Sequence, residues 1–252
     1  MKKSAKVSQY LNKGWEFRSA DGKDWVKANV PGNIHLDLIN NELIPDPFFG
    51  NNESELQWIS DRDWTYRLFF TPDKEIQDRK NKEICFHGID TYADIFLNNK
   101  KIISSNNMFH PWFANVNDVL LPGLNELTIV LRSPIKEVLP LMESLGHTLP
   151  AENDQAGKTS PFTRKAPYHY GWDWGPCFVT SGIWKNVELF AWDHWQLSDI
   201  SIANNKVNDS IAELNVYANL FSNIQEDGKM VITESKTGKS IEYPIQIREG
   251  GN

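Results

Sequence analysis

The sequence is poor in long hydrophobic runs, in positive charge and in cysteine, and each shortage narrows the class of protein. No apolar run approaches the roughly 18 residues that a helix needs to span a bilayer, so we predict no membrane partner. The formal net charge is -7 and the lysines and arginines form no basic stripe, which argues against a nucleic-acid partner.

The two cysteines, Cys85 and Cys177, lie far apart and do not have the spacing of metal ligands. Both lie among apolar residues, a context that favours buried thiols, and a disulfide between them stays open. The six histidines show no zinc spacing, and the chain has neither a glycine-rich phosphate loop nor a nucleophile elbow. We therefore predict no metal and no cofactor.

The N-terminus does not carry an intact secretion signal. The segment from Met1 to Lys6 is basic, but no hydrophobic stretch follows it. The protein is therefore cytoplasmic unless a signal was removed, in which case it is secreted or periplasmic, and the sequence leaves the two open.

Aromatic residues, by contrast, are abundant. They make up 12% of the 252 residues and include ten tryptophans. Such a bias is common in β-sandwiches and in proteins that stack on sugars. Most of these rings are expected in a core, because a buried ring removes a large apolar area from water.

An alternation of apolar and polar residues predicts β-strands through most of the chain. The predicted inward faces are Tyr66, Leu68 and Phe70; Ala93, Ile95 and Leu97, before a turn at 98–101; Leu127, Ile129 and Leu131; and Val187, Leu189 and Ala191. Short helices are predicted at Ile34–Asn41, capped by Asn33, and at Pro134–Leu145, capped by Ser133. The fold class is therefore all-β, an antiparallel two-sheet sandwich of the jelly-roll type.

The stretch from Gly146 to Pro167 shows no periodicity. An irregular segment of about twenty residues is longer than compact domains usually contain, so it is either disordered or functional. It leads directly into the densest aromatic motif of the chain, which favours a functional role.

A domain boundary is predicted near Trp192–Trp195, between residues 1–194 and residues 195–252. Beyond it we predict strands at Ile200–Ile202, Ala212–Leu220, Met230–Thr233 and Ile241–Ile247, with turns at Asp227–Gly228 and Thr237–Gly238. An immunoglobulin-like sandwich needs about seven strands and about 100 residues, so the second domain is expected to be a partial sandwich of this kind.

The most informative segment runs from Arg164 to Pro176 and ends in YGWDWGP, at 170–176. Asp173 lies between Trp172 and Trp174, and a glycine on each side permits tight backbone turns. A carboxylate beside an indole suits a pyranose, because the carboxylate accepts hydrogen bonds from hydroxyls while the indole covers the C–H groups. The alternative, which composition and spacing alone favour, is an ordinary sandwich strand with both tryptophans in the core and Asp173 exposed on the other face.

These motifs together resemble the β-mannosidases of glycoside hydrolase family 2, and the match covers residues 10–195. Its segments, in chain order, are PGNIH at 31–35, IPDPFFG at 44–50, QW at 57–58, DWTY at 63–66, GIDTYA at 88–93, NMF at 107–109, WDWGP at 172–176 and GIWK at 182–185. The Gly-Ile-Trp ending is shared with the β-galactosidases and β-glucuronidases of that family. The segments at 46–50 and 172–176 point to the mannosidase branch.

The resemblance implies a modular enzyme with a galactose-binding-domain-like jelly roll, an immunoglobulin-like domain and a catalytic (β/α)8 barrel that hydrolyses terminal β-D-mannose with retention. In this family a tryptophan–aspartate pair reaches from the N-terminal domain into the mannose pocket. By position that pair is Trp172 and Asp173, although Trp174 could be the exposed ring. The expected partners are a terminal β-mannosyl saccharide and the parent enzyme's own barrel.

The family's two catalytic glutamates lie on barrel strands beyond residue 252, so this chain is expected to hold no catalytic residue and to be inactive alone. Asp46–Gly50 is interpreted either as a turn fixed by proline or as a loop that packs against the barrel. Arg164 and Lys165 are interpreted either as a solvated pair or as partners for acidic groups across a domain interface.

Two other identities stay open. One is a self-sufficient carbohydrate-binding module, which the sandwich composition and the tryptophan-rich loops support but the half-length second domain opposes. The other is the equivalent part of a β-galactosidase or β-glucuronidase.

Overall fold

The computed structural model describes residues 6–251, which fold mainly as antiparallel β-structure and so confirm the all-β prediction. The strands are β1 Val7–Tyr10, β2 Glu16–Ser19, β3 Val26–Lys27, β4 Trp64–Phe70, β5 Asn81–Phe86, β6 Tyr92–Leu97, β7 Lys100–Asn106, β8 Trp112–Asn115, β9 Asn125–Leu131, β10 Val187–Trp192, β11 Trp195–Val207, β12 Ala212–Ser222, β13 Glu226–Thr233, β14 Ser240–Ile247 and β15 Gly250–Gly251. The helices are α1 Ile34–Asn40, α2 Asn52–Glu55, α3 Lys74–Gln77 and α4 Leu139–Leu145. None of the helices seen between residues 6 and 251 has the length and apolar character to cross a membrane.

The chain divides into two compact units. The larger unit contains Ser8–Asp78 and Lys82–Phe190, and the smaller contains the chain from Ala191 onward with two short earlier stretches. The predicted boundary between residues 194 and 195 stays a prediction.

Two antiparallel sheets build the larger unit. One has the strand order β3-β2-β4-β9-β6-β7, and the other has the order β1-β10-β5-β8. In β9 the buried positions alternate as predicted, with Leu127, Ile129 and Leu131 fully buried. Burial of each such side chain contributes roughly 1.5–3 kcal/mol of hydrophobic free energy. The three belong to the core of this unit.

Helix α1 is fastened at its start and along its buried face. The Asn33 side chain accepts a hydrogen bond from the Leu36 N–H at 3.1 Å, which confirms the predicted N-cap. Asp37 is completely buried and accepts hydrogen bonds from the Tyr66 hydroxyl at 2.7 Å and from the Asn29 N–H at 2.8 Å. Burial raises the pKa of the Asp37 carboxyl.

The helix predicted at Pro134–Leu145 is too long. Only α4, from Leu139, is helical, and residues 134–138 form turns. Pro140 has no N–H to donate to the Lys136 carbonyl, so a helix that began at residue 134 would be interrupted here, whereas Pro140 is tolerated in the first turn of α4. Ser133 does cap the turn, because its hydroxyl accepts the Lys136 N–H at 3.1 Å.

Gly182 marks a close approach between two segments of the larger unit. Its N–H and C=O pair with the backbone of Asp90 at 3.0 and 2.9 Å. A Cβ atom at position 182 would lie 2.5 Å from the Gly32 carbonyl oxygen and 2.6 Å from the Asn33 Cα. The glycine of the Gly-Ile-Trp motif is therefore required by packing.

The smaller unit contains two sheets, one with the order β11-β12-β15 and the other with β13 paired to β14. Apolar residues of these strands line an open groove of about 860 Å³, and several of them remain exposed, including Leu197, Ile200 and Val231. The turn at Thr237–Gly238 is confirmed, with Gly238 at φ 72°. The turn predicted at Asp227–Gly228 is wrong, since both residues lie within β13.

Candidate functional site

The YGWDWGP segment forms a tight hairpin in the larger unit, and the alternative of a core strand is wrong. The Trp172 N–H donates to the Gly175 carbonyl at 3.0 Å, and the Gly175 N–H donates to the Trp172 carbonyl at 3.3 Å. At the base of the hairpin Tyr170 pairs with Cys177 in an antiparallel bridge. Asp173 and Trp174 therefore occupy the tip, and we call residues 170–177 the aromatic hairpin.

Two side chains from a distant part of the sequence and one nearby backbone group hold the aromatic hairpin in place. The Glu53 carboxylate accepts the Cys177 N–H at 2.6 Å, and the Gln57 amide donates to the Cys177 carbonyl at 2.9 Å. On the opposite strand the Gln155 N–H donates to the Tyr170 carbonyl at 2.8 Å. We call Glu53 and Gln57 the clamp, because together they satisfy both backbone polar groups of one residue.

The side chains at the tip point to solvent. Trp172 is 40% exposed and Trp174 is 85% exposed, and Asp173 is exposed between them. The neighbouring loop adds Phe48, 75% exposed, whose ring packs edge-on against Phe178 at 5.3 Å between centroids. Soluble proteins rarely leave so many large rings together on one surface unless the surface binds something.

Two cavities adjoin the aromatic hairpin and differ in polarity. The first, of about 440 Å³, has three polar residues in its lining, namely Asp173, Glu53 and Gln155, and we call it the carboxylate cavity. The second, of about 550 Å³, has aromatic and proline walls, and we call it the aromatic cavity. Its lining residues are Phe48, Pro167, Tyr168, His169, Trp172, Trp174, Gly175, Pro176 and Phe178. Trp172 and Trp174 line both cavities.

A buried ion pair lies in the segment that leads to the aromatic cavity. The Lys165 side chain is completely buried, donates to the Asp90 carboxylate and donates to the Thr180 carbonyl at 2.7 Å. His169 lies 3.6 Å from the same carboxylate. Both interpretations of Lys165 are therefore wrong, because Lys165 is neither solvated nor a partner across a domain interface. It is a buried partner of Asp90 within the larger unit.

Burial and the Lys165 charge depress the pKa of two histidines here. The pKa of His169 falls to about 4, chiefly through burial and then through Lys165, with Asp90 opposing the shift. The pKa of His35 also falls to about 4, from burial first and Lys165 second. Both imidazoles are therefore neutral at neutral pH.

These shifts predict that the chain loses stability in mild acid. Unfolded histidine has a pKa near 6.5, so between about pH 6.5 and 4 the unfolded chain binds protons that the folded chain excludes. The free energy of unfolding should therefore fall as the pH is lowered through this window, by up to about 1.4 kcal/mol per pH unit for each histidine. Urea unfolding at pH 7, 6 and 5 measures it. His169→Gln should weaken the dependence of the free energy of unfolding on pH. A urea midpoint that is the same at pH 7, 6 and 5 would contradict the lowered pKa values of the two histidines.

The sequence identified part of this site and missed the rest. It singled out Trp172 and Asp173, and both lie at the aromatic hairpin. It interpreted 46–50 as a turn or a contact loop, and the turn is present, closed by the Asp46 carboxylate accepting the Phe48 N–H at 2.9 Å. No local sequence pattern predicted the clamp, because Cys177, to which both of its residues bind, lies about 120 residues further along the sequence.

Cys85 and Cys177 are both buried thiols without a disulfide. Burial raises the pKa of Cys177 to about 12, so this thiol stays protonated and serves as packing. Within residues 6–251 no group of three or more His, Cys, Asp or Glu side chains is arranged to hold a metal ion.

The larger unit combines two antiparallel sheets with an aromatic hairpin that exposes one carboxylate. This combination is that of a sandwich of the galactose-binding-like class. A family model described as "Glycosyl hydrolase 2 galactose-binding domain-like" matches residues 15–185. The chain belongs to this family.

Several named proteins are similar to this chain in sequence. The chain is 36% identical over 238 residues to beta-mannosidase B of Thermothelomyces thermophilus, which covers 89% of this chain and 27% of the relative. It is 35% identical over 183 residues to a probable beta-mannosidase of Caenorhabditis elegans, with 69% and 20% covered. The chain thus spans about a quarter of the length of these relatives.

Among solved structures, the β-D-mannosidase of Dictyoglomus thermophilum superposes with a TM-score of 0.90 at 37% identity, over 98% of this chain and 30% of that one. A β-glucuronidase of Bacteroides uniformis superposes with a TM-score of 0.62 at 14% identity, over 98% and 26% of the two chains. The second likeness shows a common fold and nothing more.

Proposed function

We propose that this chain is the N-terminal, non-catalytic part of a retaining exo-β-mannosidase, and that its aromatic hairpin forms one wall of the pocket for a terminal β-D-mannosyl residue. The observation that carries the proposal is the placement of Asp173, exposed at the tip of a doubly hydrogen-bonded turn between two indoles. A carboxylate held this way accepts hydrogen bonds from vicinal hydroxyls, while an indole face covers the ring C–H groups.

Asp173 and Trp172 are the proposed substrate-binding residues. Both line the carboxylate cavity, and Trp172 is held closer to the body of the domain than Trp174, which is 85% exposed. The pocket wall needs a ring in a defined position, because a side chain that moves freely does not orient the sugar. Trp174 then lies at the rim of the site.

Bond cleavage is assigned to the parent's own catalytic barrel. Retaining hydrolysis requires two carboxyl groups about 5–5.5 Å apart, one acting as nucleophile and one as acid and base. Besides Asp173, the other carboxylate that lines the carboxylate cavity is Glu53, which accepts the Cys177 N–H and so acts as a support. The role proposed for this chain is therefore orientation of the sugar and support of the barrel, and the isolated chain should hydrolyse nothing.

We further propose that residues 1–194 and 195–252 are separate domains, and that the second is part of an immunoglobulin-like sandwich. The support is the open groove of the smaller unit, whose lining side chains Leu197, Ile200 and Val231 are exposed. Exposed apolar rows on facing sheets are typical of a sandwich that further strands would cover. The β-mannosidase relatives, about four times as long, have room for such strands.

The test of the proposed function is Asp173→Asn in the longer enzyme that contains this chain. Asparagine keeps the size but loses the charge, and a hydrogen bond to a charged group is worth about 1.5–3 kcal/mol. We expect kcat/KM for an aryl β-D-mannoside to fall roughly 10- to 150-fold. Because Asp173 is exposed, the melting temperature should not change.

Asp118→Asn is the matched control, since Asp118 is also exposed and lines neither cavity. It should keep full activity. Equal kcat/KM for the Asp173 variant and the Asp118 variant would refute the proposed pocket wall, and turnover by the isolated 252-residue chain would refute its non-catalytic role.

A further inference from the structure

The aromatic hairpin has two different sides. Asp173, Glu53 and Gln155 line only the carboxylate cavity, whereas Tyr168, His169 and Phe178 line only the aromatic cavity. The proposed function uses the first side and leaves the second unexplained.

The aromatic cavity presents no charge. None of its lining residues is acidic, lysine or arginine, and its one histidine, His169, is neutral at neutral pH because its pKa lies at about 4. A cavity of this kind disfavours a charged or heavily hydroxylated ligand, because such a ligand would lose its water without gaining partners. Its flat rings favour a flat apolar group instead.

The aromatic cavity also adjoins the carboxylate cavity. Trp172, Trp174, Gly175, Pro176 and Phe48 line both, so the two cavities lie on either side of the same rings. Its volume of about 550 Å³ is within the range of small-molecule sites. A ligand whose sugar contacts Asp173 can therefore extend its attached group across these rings.

We propose that the aromatic cavity binds the uncharged aryl or branched alkyl group attached to the mannosyl residue, and so selects mannosides with an apolar leaving group. The inference rests on the proposed function, because it places the sugar at Asp173. It assigns Phe48 as a residue that determines specificity, held at the cavity wall by its edge-on contact with Phe178.

The chain offers a matched pair of variants for the test. Phe48 and Phe49 are adjacent and are each 75% exposed, but only Phe48 lines the cavity. In the isolated chain, benzyl alcohol is titrated while the indole N–H signals of Trp172 and Trp174 are followed by NMR, with assignments from Trp→Phe variants. We expect both signals to shift, and Phe48→Ala to weaken this binding roughly 3- to 10-fold while Phe49→Ala leaves it unchanged.

In the longer enzyme, the same variants are compared on phenyl and methyl β-D-mannoside. Phe48→Ala should lower the ratio of kcat/KM for phenyl over methyl roughly 3- to 10-fold, and Phe49→Ala should preserve it. Asp173→Asn should lower kcat/KM for both substrates and leave the ratio unchanged. This separates the proposed function from the inference built on it.

Each result has a distinct meaning. If benzyl alcohol shifts neither indole, or if the Phe48 and Phe49 variants behave alike, the apolar site is refuted. If benzyl alcohol binds the isolated chain but Phe48→Ala leaves the ratio unchanged in the longer enzyme, a protein segment fills the cavity there and the selection of leaving groups is refuted. In both cases a loss on Asp173→Asn would still support the pocket wall.

Discussion

Replacing Lys165 by methionine is expected to lower the free energy of unfolding by about 3–5 kcal/mol, because it leaves a buried carboxylate without its partner. The Lys165 side chain has no exposed surface and Asp90 is 3% exposed, so water cannot take over the role of the ammonium. Urea or thermal unfolding of the variant and the parent chain at pH 7 measures the loss.

The paired variant Lys165→Met with Asp90→Asn is the control for this prediction. Removing both charges of a buried pair usually costs much less than removing one, since no uncompensated charge remains. The double variant should therefore be more stable than the single one by about 1 kcal/mol or more. A single variant within about 1 kcal/mol of the parent chain would show that the carboxylate finds other compensation.

Replacing Gly182 by alanine is expected to cost about 3 kcal/mol or to prevent folding. The new Cβ would lie 2.5 Å from the Gly32 carbonyl oxygen. No rotamer change can relieve this contact, because the backbone fixes the position of an alanine Cβ and the oxygen itself is a backbone atom. Neither side can retreat easily. Gly182 is paired with Asp90, and the Gly32 N–H donates to the Ile183 carbonyl at 2.9 Å.

Gly123→Ala provides the comparison, because a Cβ at position 123 would meet nothing within 4 Å. Its stability should stay within about 0.5 kcal/mol of the parent chain. Chemical denaturation of both variants, with intrinsic tryptophan fluorescence as the signal, tests the pair. Equal stability of the two would mean that the segments at 32 and 182 can separate at little cost.

The parts of the fold that could be predicted from the sequence are those that depend on local patterns. The alternation of Leu127, Ile129 and Leu131 places one face of β9 in the core, since successive side chains of a strand point to opposite faces. Asn33 caps α1 because a short polar side chain reaches the N–H three residues on. The turn between β6 and β7 was placed correctly but is shorter than predicted, with only Asn98 and Asn99 outside the strands.

The parts that could not be predicted depend on contacts between distant residues. The WDW alternation fits a strand as well as a turn, and the hairpin is held by the clamp, which lies about 120 residues earlier. Gly228 is accepted inside β13 because the Ile247 side chain of the paired strand covers it, with Ile247 Cδ1 3.0 Å from where a Cβ would be. Lys165 gave no sign of burial, because its partner Asp90 lies on another segment.

The clamp has a consequence for inheritance and for protein engineering. Glu53 and Gln57 hold the main chain of Cys177, so substitution at 177 can preserve both contacts, whereas substitution at 53 or 57 removes one. Among homologues that retain the aromatic hairpin, we therefore expect the amino acids at positions 53 and 57 to vary less than the amino acid at position 177. The length of the loops that connect these positions should also vary little. If the aromatic hairpin is grafted onto another sandwich, segment 45–59 must be grafted with it. Without that segment the hairpin would lose the two hydrogen bonds that the clamp makes to the Cys177 backbone.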